Sequence, residues 1–275
     1  MSAGPFTLVL SGGGLKGLAH VGVLKALEER GRRPAMIVGS SMGSMIAGAW
    51  AAGMGLDEME QRALAVRRRD VFRVAHVDMA IRRMQASALY RREPLDALLE
   101  SIVGDRTFND LHAPLLVNTV DLLAGQQVTW GLPGRRSARV ADAIYASCAL
   151  PGVFPPREID GHYYVDGAVI ENLPVRVAAT AGTGDIIAVN VAATSAPRTL
   201  AETEGFIATY VRGLEIVMQT QIEGLLRDWS GPPLTLIEPR VAHIGMFSFH
   251  QTRELIDEGY RATREALDLA DRPAA

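Results

Sequence analysis

Apolar residues follow two rhythms along this chain. Short continuous runs, FTLVLS (6–11) and MIVGS (36–40), have the length and β-rich content of buried strands. LKGLAHVGVLKALEERG (15–31) instead carries its apolar positions at helical spacing and stops at Gly31, a residue suited to closing a helix. MGSMIAGAWAAGM (42–54) and LDEMEQRALAVRRR (56–69) predict two more helices, and residues 70–92 are irregular and basic. PLDALLESIVG (94–104) is helical, with Pro94 near its start. APLLVNTVDLL (113–123) and QQVTWG (126–131) predict strands paired around Ala124–Gly125. VADAIYASCAL (140–150) predicts a helix stopped by Pro151, and HYYVDG, IIAVNVA and PLTLIEP predict further strands. Long helical patterns occupy about 199–228 and 251–270. Without an internal repeat or a low-complexity linker, this alternation predicts one α/β domain over 1–275, its sheet mostly parallel and helices on both faces.

Composition narrows the class. Of 275 residues, 48% are hydrophobic and 21% charged, close to a globular protein with a sizeable core. A net charge of -3 gives no general reason to expect a nucleic-acid partner. The single cysteine, Cys148, has no internal disulfide partner, which suits a reducing compartment. The start, MSAGPFTLVLSGGG, lacks a basic n-region, and no apolar stretch approaches the roughly 20 residues that span a bilayer. The expectation is a cytoplasmic chain that at most touches the inner membrane surface. Lys16 and Lys25 are the only lysines, so nearly all positive charge is arginine; with abundant Ala and Gly, genomic codon bias accounts for it.

Two glycine motifs carry candidate chemistry. In GSSMG, Gly39, Ser41 and Gly43 satisfy G-x-S-x-G between a predicted strand and a predicted helix. A serine on such a turn is exposed as a nucleophile, and the small residues two before and two after let strand and helix approach; a plain small-residue turn is the alternative. In SGGGLKG, Gly12, Gly14 and Gly17 match G-x-G-x-x-G, which also marks dinucleotide sites. A dinucleotide site wants an acidic residue about 20 positions on, at the end of the second strand, and VGSSMG offers none. The other use of such a loop is an oxyanion hole, with the amides of Gly13 and Gly14 as donors and Leu15 as a third. Lys16 is expected as a solvated helix residue.

A serine nucleophile needs a base. The order Ser41, Asp166, then His243 or His250 can be forced onto an α/β-hydrolase triad, but an elbow at residue 41, after one βα unit, comes too early for that fold. His20, His76, His112, His162, His243 and His250 share no motif. A dyad with a carboxylate is simpler, and Asp166 in YYVDGAVIENLP follows a strand with Gly167 behind it. Asp-Gly is equally a common turn dipeptide, so local chemistry leaves both readings open.

GGGLKG, GSSMG, ASCALPGVFPP and VDGAVIENLPV, in that order over about residues 7–192, closely resemble the patatin-like phospholipase family, in particular its short bacterial single-domain members. The end of the chain, FSFHQTRELIDEGYRATREAL, is similar to the family's closing helix. The resemblance implies a three-layer α/β/α domain with a helical part over about 199–275, and a Ser-Asp dyad with Ser41 as nucleophile and Asp166 as base. It implies Gly12, Gly13, Gly14 and Gly17 as the oxyanion loop, Gly39 and Gly43 as the elbow, and Asp166, Gly167 and Ala168 as the DGA motif. It implies no metal or organic cofactor, and a lipid or acyl-ester substrate, with phospholipids and lysophospholipids as the usual class. ASCALPGVFPP is expected to shape the wall beside the dyad, with Cys148 a buried small residue. Ser11 stands where acidic residues are also common in the family, with little effect expected.

Residues 67–92 hold eight arginines (67, 68, 69, 73, 82, 83, 91 and 92) against Asp70 and Asp78, with apolar residues between them. This predicts a segment that borders the Ser41 cleft as a lid or a docking surface for anionic lipid. The plainer expectation is a solvated loop whose arginines pair with neighbours such as Glu58 and Glu60.

Overall fold

A computed structural model describes residues 4–75, 88–132, 134–182, 184–192, 199–200 and 203–270. The first apolar runs form β1 (Phe6–Leu10) and β2 (Met36–Ser40), joined by a 3-10 turn (Gly14–Leu18) and helix α1 (Ala19–Glu29). Gly31 follows α1 at φ +62°, where a left-handed residue ends the helix. After β2 come α2 (Met42–Ala51), α3 (Leu56–Ala65), the single turn α4 (Arg68–Val71) and α5 (Glu93–Val103). The hairpin is β3 (Leu115–Asp121) with β4 (Gln126–Gly131), and α6 (Val140–Cys148) stops before Pro151. The remainder is β5 (Arg157–Ile159), β6 (His162–Asp166), α7 (Val175–Ala181), β7 (Asp185–Val189), α8 (Phe206–Arg227), β8 (Leu234–Ile237) and α9 (Thr252–Ala270).

In hydrogen-bonding order the strands run β5-β6-β3-β2-β1-β7-β8, with β4 also on β3. The stretch from β3 to β8 is parallel throughout, while β4, β5 and β6 pair antiparallel. The central strands are buried on both faces, which explains their unbroken apolar runs. Leu8 and Leu10 of β1 join one core with α1, α2, α5, α6 and α9, whereas Val9 joins a second core with α7 and the C-terminal half of α8. The three-layer arrangement follows from that alternation.

The register of β3 sets up the site. One edge of β3 carries β4 along Leu116–Asp121. The other edge is shared: β2 pairs with it up to Ser40 opposite Asn118, and β6 takes over with Asp166 opposite Thr119. Two strands that are far apart in sequence therefore end nose to nose, with Ser41 on one tip and Asp166 on the other.

Candidate active site

Ser41 lies between β2 and α2 at φ 52°, ψ -129°. Among the described residues it and Asp160 are the non-glycine positions with positive φ. Such a backbone costs energy for an L-residue and persists only where its surroundings impose it. The neighbours do so by close approach. A Cβ on Gly39 would run into the backbone of Ser44, and one on Gly43 into the carbonyls of Leu10 and Ser11. The Ser41 carbonyl accepts from the Ser44 amide (2.9 Å) and the Ser44 hydroxyl (2.6 Å), which starts α2.

A residue that the motif does not announce completes the turn. Ser147, fully buried near the end of α6, accepts the Ser41 amide on Oγ at 2.8 Å and donates to the Asn118 carbonyl at 2.7 Å. Two residues on, the Ala149 carbonyl accepts the Asp166 amide at 3.1 Å. The expected wall segment therefore holds both sides of the site by hydrogen bonds. Cys148 between them lines the cleft, and burial followed by the Asp166 charge pushes its thiol well up, so it stays protonated.

Asp166 closes β6 and is 1% exposed. Burial raises its carboxyl from 3.8 to about 7, against the Ala168 amide, which donates to it at 2.9 Å, and the nearby Ser41 side chain, both of which favour the charged form. Gly167 is required because a side chain there would collide with Asn118. Ser41 and Asp166 line one cleft with Gly13, Gly14 and Ala168, under apolar side chains such as Met218 and Phe247.

The glycine loop approaches from β1. Gly12 packs so close to Ser41 Cβ that any side chain would clash with it and with Asn172. Its amide donates to the Asn172 carbonyl (3.2 Å). The Leu15 amide donates to the Met246 carbonyl (2.8 Å), which removes Leu15 from the expected set of oxyanion donors. Between them, the amides of Gly13 and Gly14 have no matched acceptor among the described residues, and both residues line the cleft. Gly14 at φ +57° abuts Met246, and Gly17 makes room for Met42. Ser11 anchors the loop: its Oγ accepts the Val191 amide (3.0 Å) and its carbonyl meets His20 Nε2 (2.9 Å). Lys16, expected in solvent, is 1% exposed, because the 3-10 turn packs between α2 and α9.

Among the described residues no histidine lines this cleft. His20 is buried and held neutral, its pKa lowered to about 4 by desolvation. His162 pairs with Asp121 (3.0 Å) and His243 with Glu254 (2.6 Å), while His76 lies outside the described residues. Nor do three His, Cys, Asp or Glu side chains gather into a metal-ligand set among the described residues. No carboxylate stands at the end of β2 to meet a ribose, and Ser40 and Ser41 occupy that place.

The arginine-rich segment touches the site through its apolar residues. Val71 and Phe72 line the cleft, and Phe72 stacks among Tyr90, Phe154, Phe247 and Phe249. Arg67, Arg68, Arg69, Arg73, Arg91 and Arg92 are exposed. Glu58 pairs with Arg62, and Glu60 with Lys25 and Arg253, so the pairing expected for these two carboxylates falls to other partners. Arg69 reaches Asp70, Arg91 reaches Glu93 and Arg92 reaches Asp96 instead. Asp78, Met79, Ile81, Arg82, Arg83 and Met84 lie outside the described residues.

Comparison with known proteins bears on the family and the fold. Two uncharacterized NTE family proteins of Mycobacterium tuberculosis are similar to the chain: one is 39% identical over 168 residues (61% of this chain, 44% of that protein), the other 28% identical over 278 residues (94% and 46%). A lysophospholipase NTE1 of Mycosarcoma maydis is 31% identical over 285 residues, 95% of this chain but 14% of that protein. The chain thus spans less than half the length of these relatives. In fold it is similar to VipD from Legionella pneumophila, with a TM-score of 0.51 at 15% identity, covering 97% of this chain and 67% of VipD. The model of the patatin-like phospholipase family matches residues 8–179, and the chain belongs to that family.

Proposed function

We propose that the chain is a serine acyl hydrolase that cleaves fatty-acyl esters of phospholipids, lysophospholipids or related lipids through Ser41 and Asp166. The observation that carries this reading is a strained Ser41 that shares one cleft with a buried Asp166 whose carboxyl is raised to about 7. A base with that pKa is deprotonated in a useful fraction near neutrality, yet basic enough to take a hydroxyl proton. Asp166 accepts the proton of Ser41 as Oγ attacks the ester carbonyl. The negative charge that develops on the carbonyl oxygen is met by the amides of Gly13 and Gly14, preorganised in a largely apolar cleft. Collapse expels the alcohol, which takes the proton from Asp166. Water then repeats the sequence on the acyl-enzyme: it gives a proton to Asp166, adds to the carbonyl, and the acid leaves as Ser41 regains its proton. Gly12 and Gly17 serve by giving room, Gly39 and Gly43 by holding the elbow, and Gly167 and Ala168 by fixing Asp166. No metal or organic cofactor enters the scheme.

A lipid substrate is supported by the family match and by a relative that is a lysophospholipase. It also fits a cleft walled by Phe72, Met218 and Phe247. Of the arginine-rich segment, Val71 and Phe72 line the cleft while Arg67, Arg68, Arg69 and Arg73 stay exposed. That division suits a segment docked on an anionic lipid surface, at the cytoplasmic face of a membrane.

A fluorophosphonate probe tests the assignment directly. Phosphonylation is expected on Ser41 alone, and Ser41→Ala is expected to lose ester hydrolysis by on the order of 10⁴-fold or more. Labelling at another serine, or near-normal turnover by Ser41→Ala, sinks it.

A further inference from the structure

The cleft at Ser41 has an apolar neighbour. Between α2, α3 and α5 lies a pocket of about 240 Å³, walled by side chains such as Leu18, Ile46, Met59, Leu98 and Ile102. Met45 lines both this pocket and the cleft. The two linings are related helix by helix. Leu15 faces the cleft and Leu18 the pocket; Met42 faces the cleft and Ile46 the pocket; Leu95 faces the cleft and Leu98 the pocket. Steps of three or four residues are one helical turn along a single face. The two spaces therefore lie about one turn apart along the same helix faces, with the Met45 side chain lining both.

The chemistry of the pocket suits hydrocarbon. The charged lining residues of the pocket, Arg62 and Asp70, reach solvent, and the stretch running to them from Met45 is aliphatic and thioether side chains. Methionine is unbranched and adaptable, so the side chain that lines both spaces can swing aside for a chain passing beneath it. We infer that this pocket is the acyl-chain subsite: with the ester carbonyl at Ser41, the chain runs along α2 past Met45 and its distal methylenes lie between α2, α3 and α5. The inference rests on the Ser41–Asp166 reading and adds to it a direction for the acyl chain and a determinant of its length. The glycerol side of the ester is then left to the opposite end of the cleft, toward Met246 and Phe247.

The test is the ratio of kcat/KM for p-nitrophenyl dodecanoate to that for p-nitrophenyl butanoate, in the wild type, Ala63→Phe and Met45→Ala. Ala63 on α3 lines the pocket but not the cleft. A phenyl ring there is expected to lower the ratio at least about tenfold, since each methylene kept from burial is worth roughly fourfold. Met45→Ala cuts back the side chain that lines both spaces and is expected to raise the ratio, which keeps the idea testable if Ala63→Phe folds poorly. An active wild type with the ratio unmoved in the folded variants overturns the subsite alone. A wild type that hydrolyses neither ester overturns the Ser41 reading and the subsite with it.

Discussion

At the scale of single residues, Asp166 sets the pH behaviour twice over. In the proposed mechanism its carboxylate form is the working one, so kcat/KM is expected to climb with pH through about 7 and then level off. The same residue weakens the fold at high pH. Its folded pKa of about 7 exceeds the ordinary 3.8, so between these values the unfolded chain has released a proton that the native one retains. Stability contributed by the protonated form is complete below about pH 4 and is lost as pH rises through 7, a penalty of roughly 4 kcal/mol at 1.36 kcal/mol per pKa unit. Asp166→Asn keeps an oxygen for the Ala168 amide and removes the buried charge. It is expected to abolish activity while melting at a higher temperature than the wild type at pH 8, with the advantage fading toward pH 4. A variant no more stable than the wild type at pH 8 contradicts the raised pKa. Asp-Gly after a strand is visible in sequence, but its burial and its place beside the tip of β2 come from the β3 register, which no local pattern carries. The same limit hid Lys16: helical spacing cannot say that a turn is covered on both sides by other helices.

At the scale of elements, the tip of α6 is what joins the two halves of the site. Ser147 holds the Ser41 amide, and Ala149, two residues further, holds the Asp166 amide. Ser147→Ala leaves the Ser41 N–H and the Asn118 carbonyl each short of a buried partner, which costs about 1–3 kcal/mol per group. The rate per fluorophosphonate-titrated site is expected to drop on the order of 10²-fold, because a small displacement of a nucleophile is expensive. Ser147→Thr retains the hydroxyl but crowds a fully buried position, so it should lose stability while keeping most of that rate. Rates that follow melting temperature instead of the hydroxyl would refute the positioning role. Nothing in ASCALPG announces this, since the hydrogen-bond partners lie 106 and 29 residues away. Where elements rest on local pattern the sequence is explicit: β2 spans the predicted MIVGS, and the 113–131 hairpin turns around Ala124–Gly125. The three-residue β5 is too short to show a period, and α7, VRVAATA, has a β-branched content that masks its helix. The first helix was expected as one unit from 15 to 31, but it begins as a 3-10 turn tied to Met246, a contact no local pattern carries.

At the scale of the whole molecule, the alternation of strands and helices predicts a mostly parallel sheet with helices on both faces, whereas the meeting of β2 and β6 on one edge of β3 cannot be read from it. That meeting places the cleft at the end of the sheet, beside α4 and the residues around Tyr90. No helix among the described residues is long and apolar enough to cross a membrane. The arginines of 67–73 and 91–92 are exposed, while Val71 and Phe72 of the same segment line the cleft. Each arginine near an anionic bilayer is worth about 1 kcal/mol, and the attraction decays within a Debye length of about 10 Å at 0.1 M salt. Sedimentation with phosphatidylcholine vesicles is therefore expected to show little binding, with retention rising as phosphatidylserine is added and falling as salt is raised. Replacing Arg67, Arg68 and Arg69 together by Gln removes three charges, of which only Arg68 also contacts the aromatic cluster at the cleft, lying over the Phe72 ring and donating to the Tyr90 hydroxyl. About 3 kcal/mol at low salt is on the order of a hundredfold in the partition coefficient, less where counter-ions screen it. Hydrolysis of soluble p-nitrophenyl butanoate should change little, because that substrate needs no surface. Equal binding to neutral and anionic vesicles, or none to either, would remove the electrostatic docking idea and leave the dyad untouched.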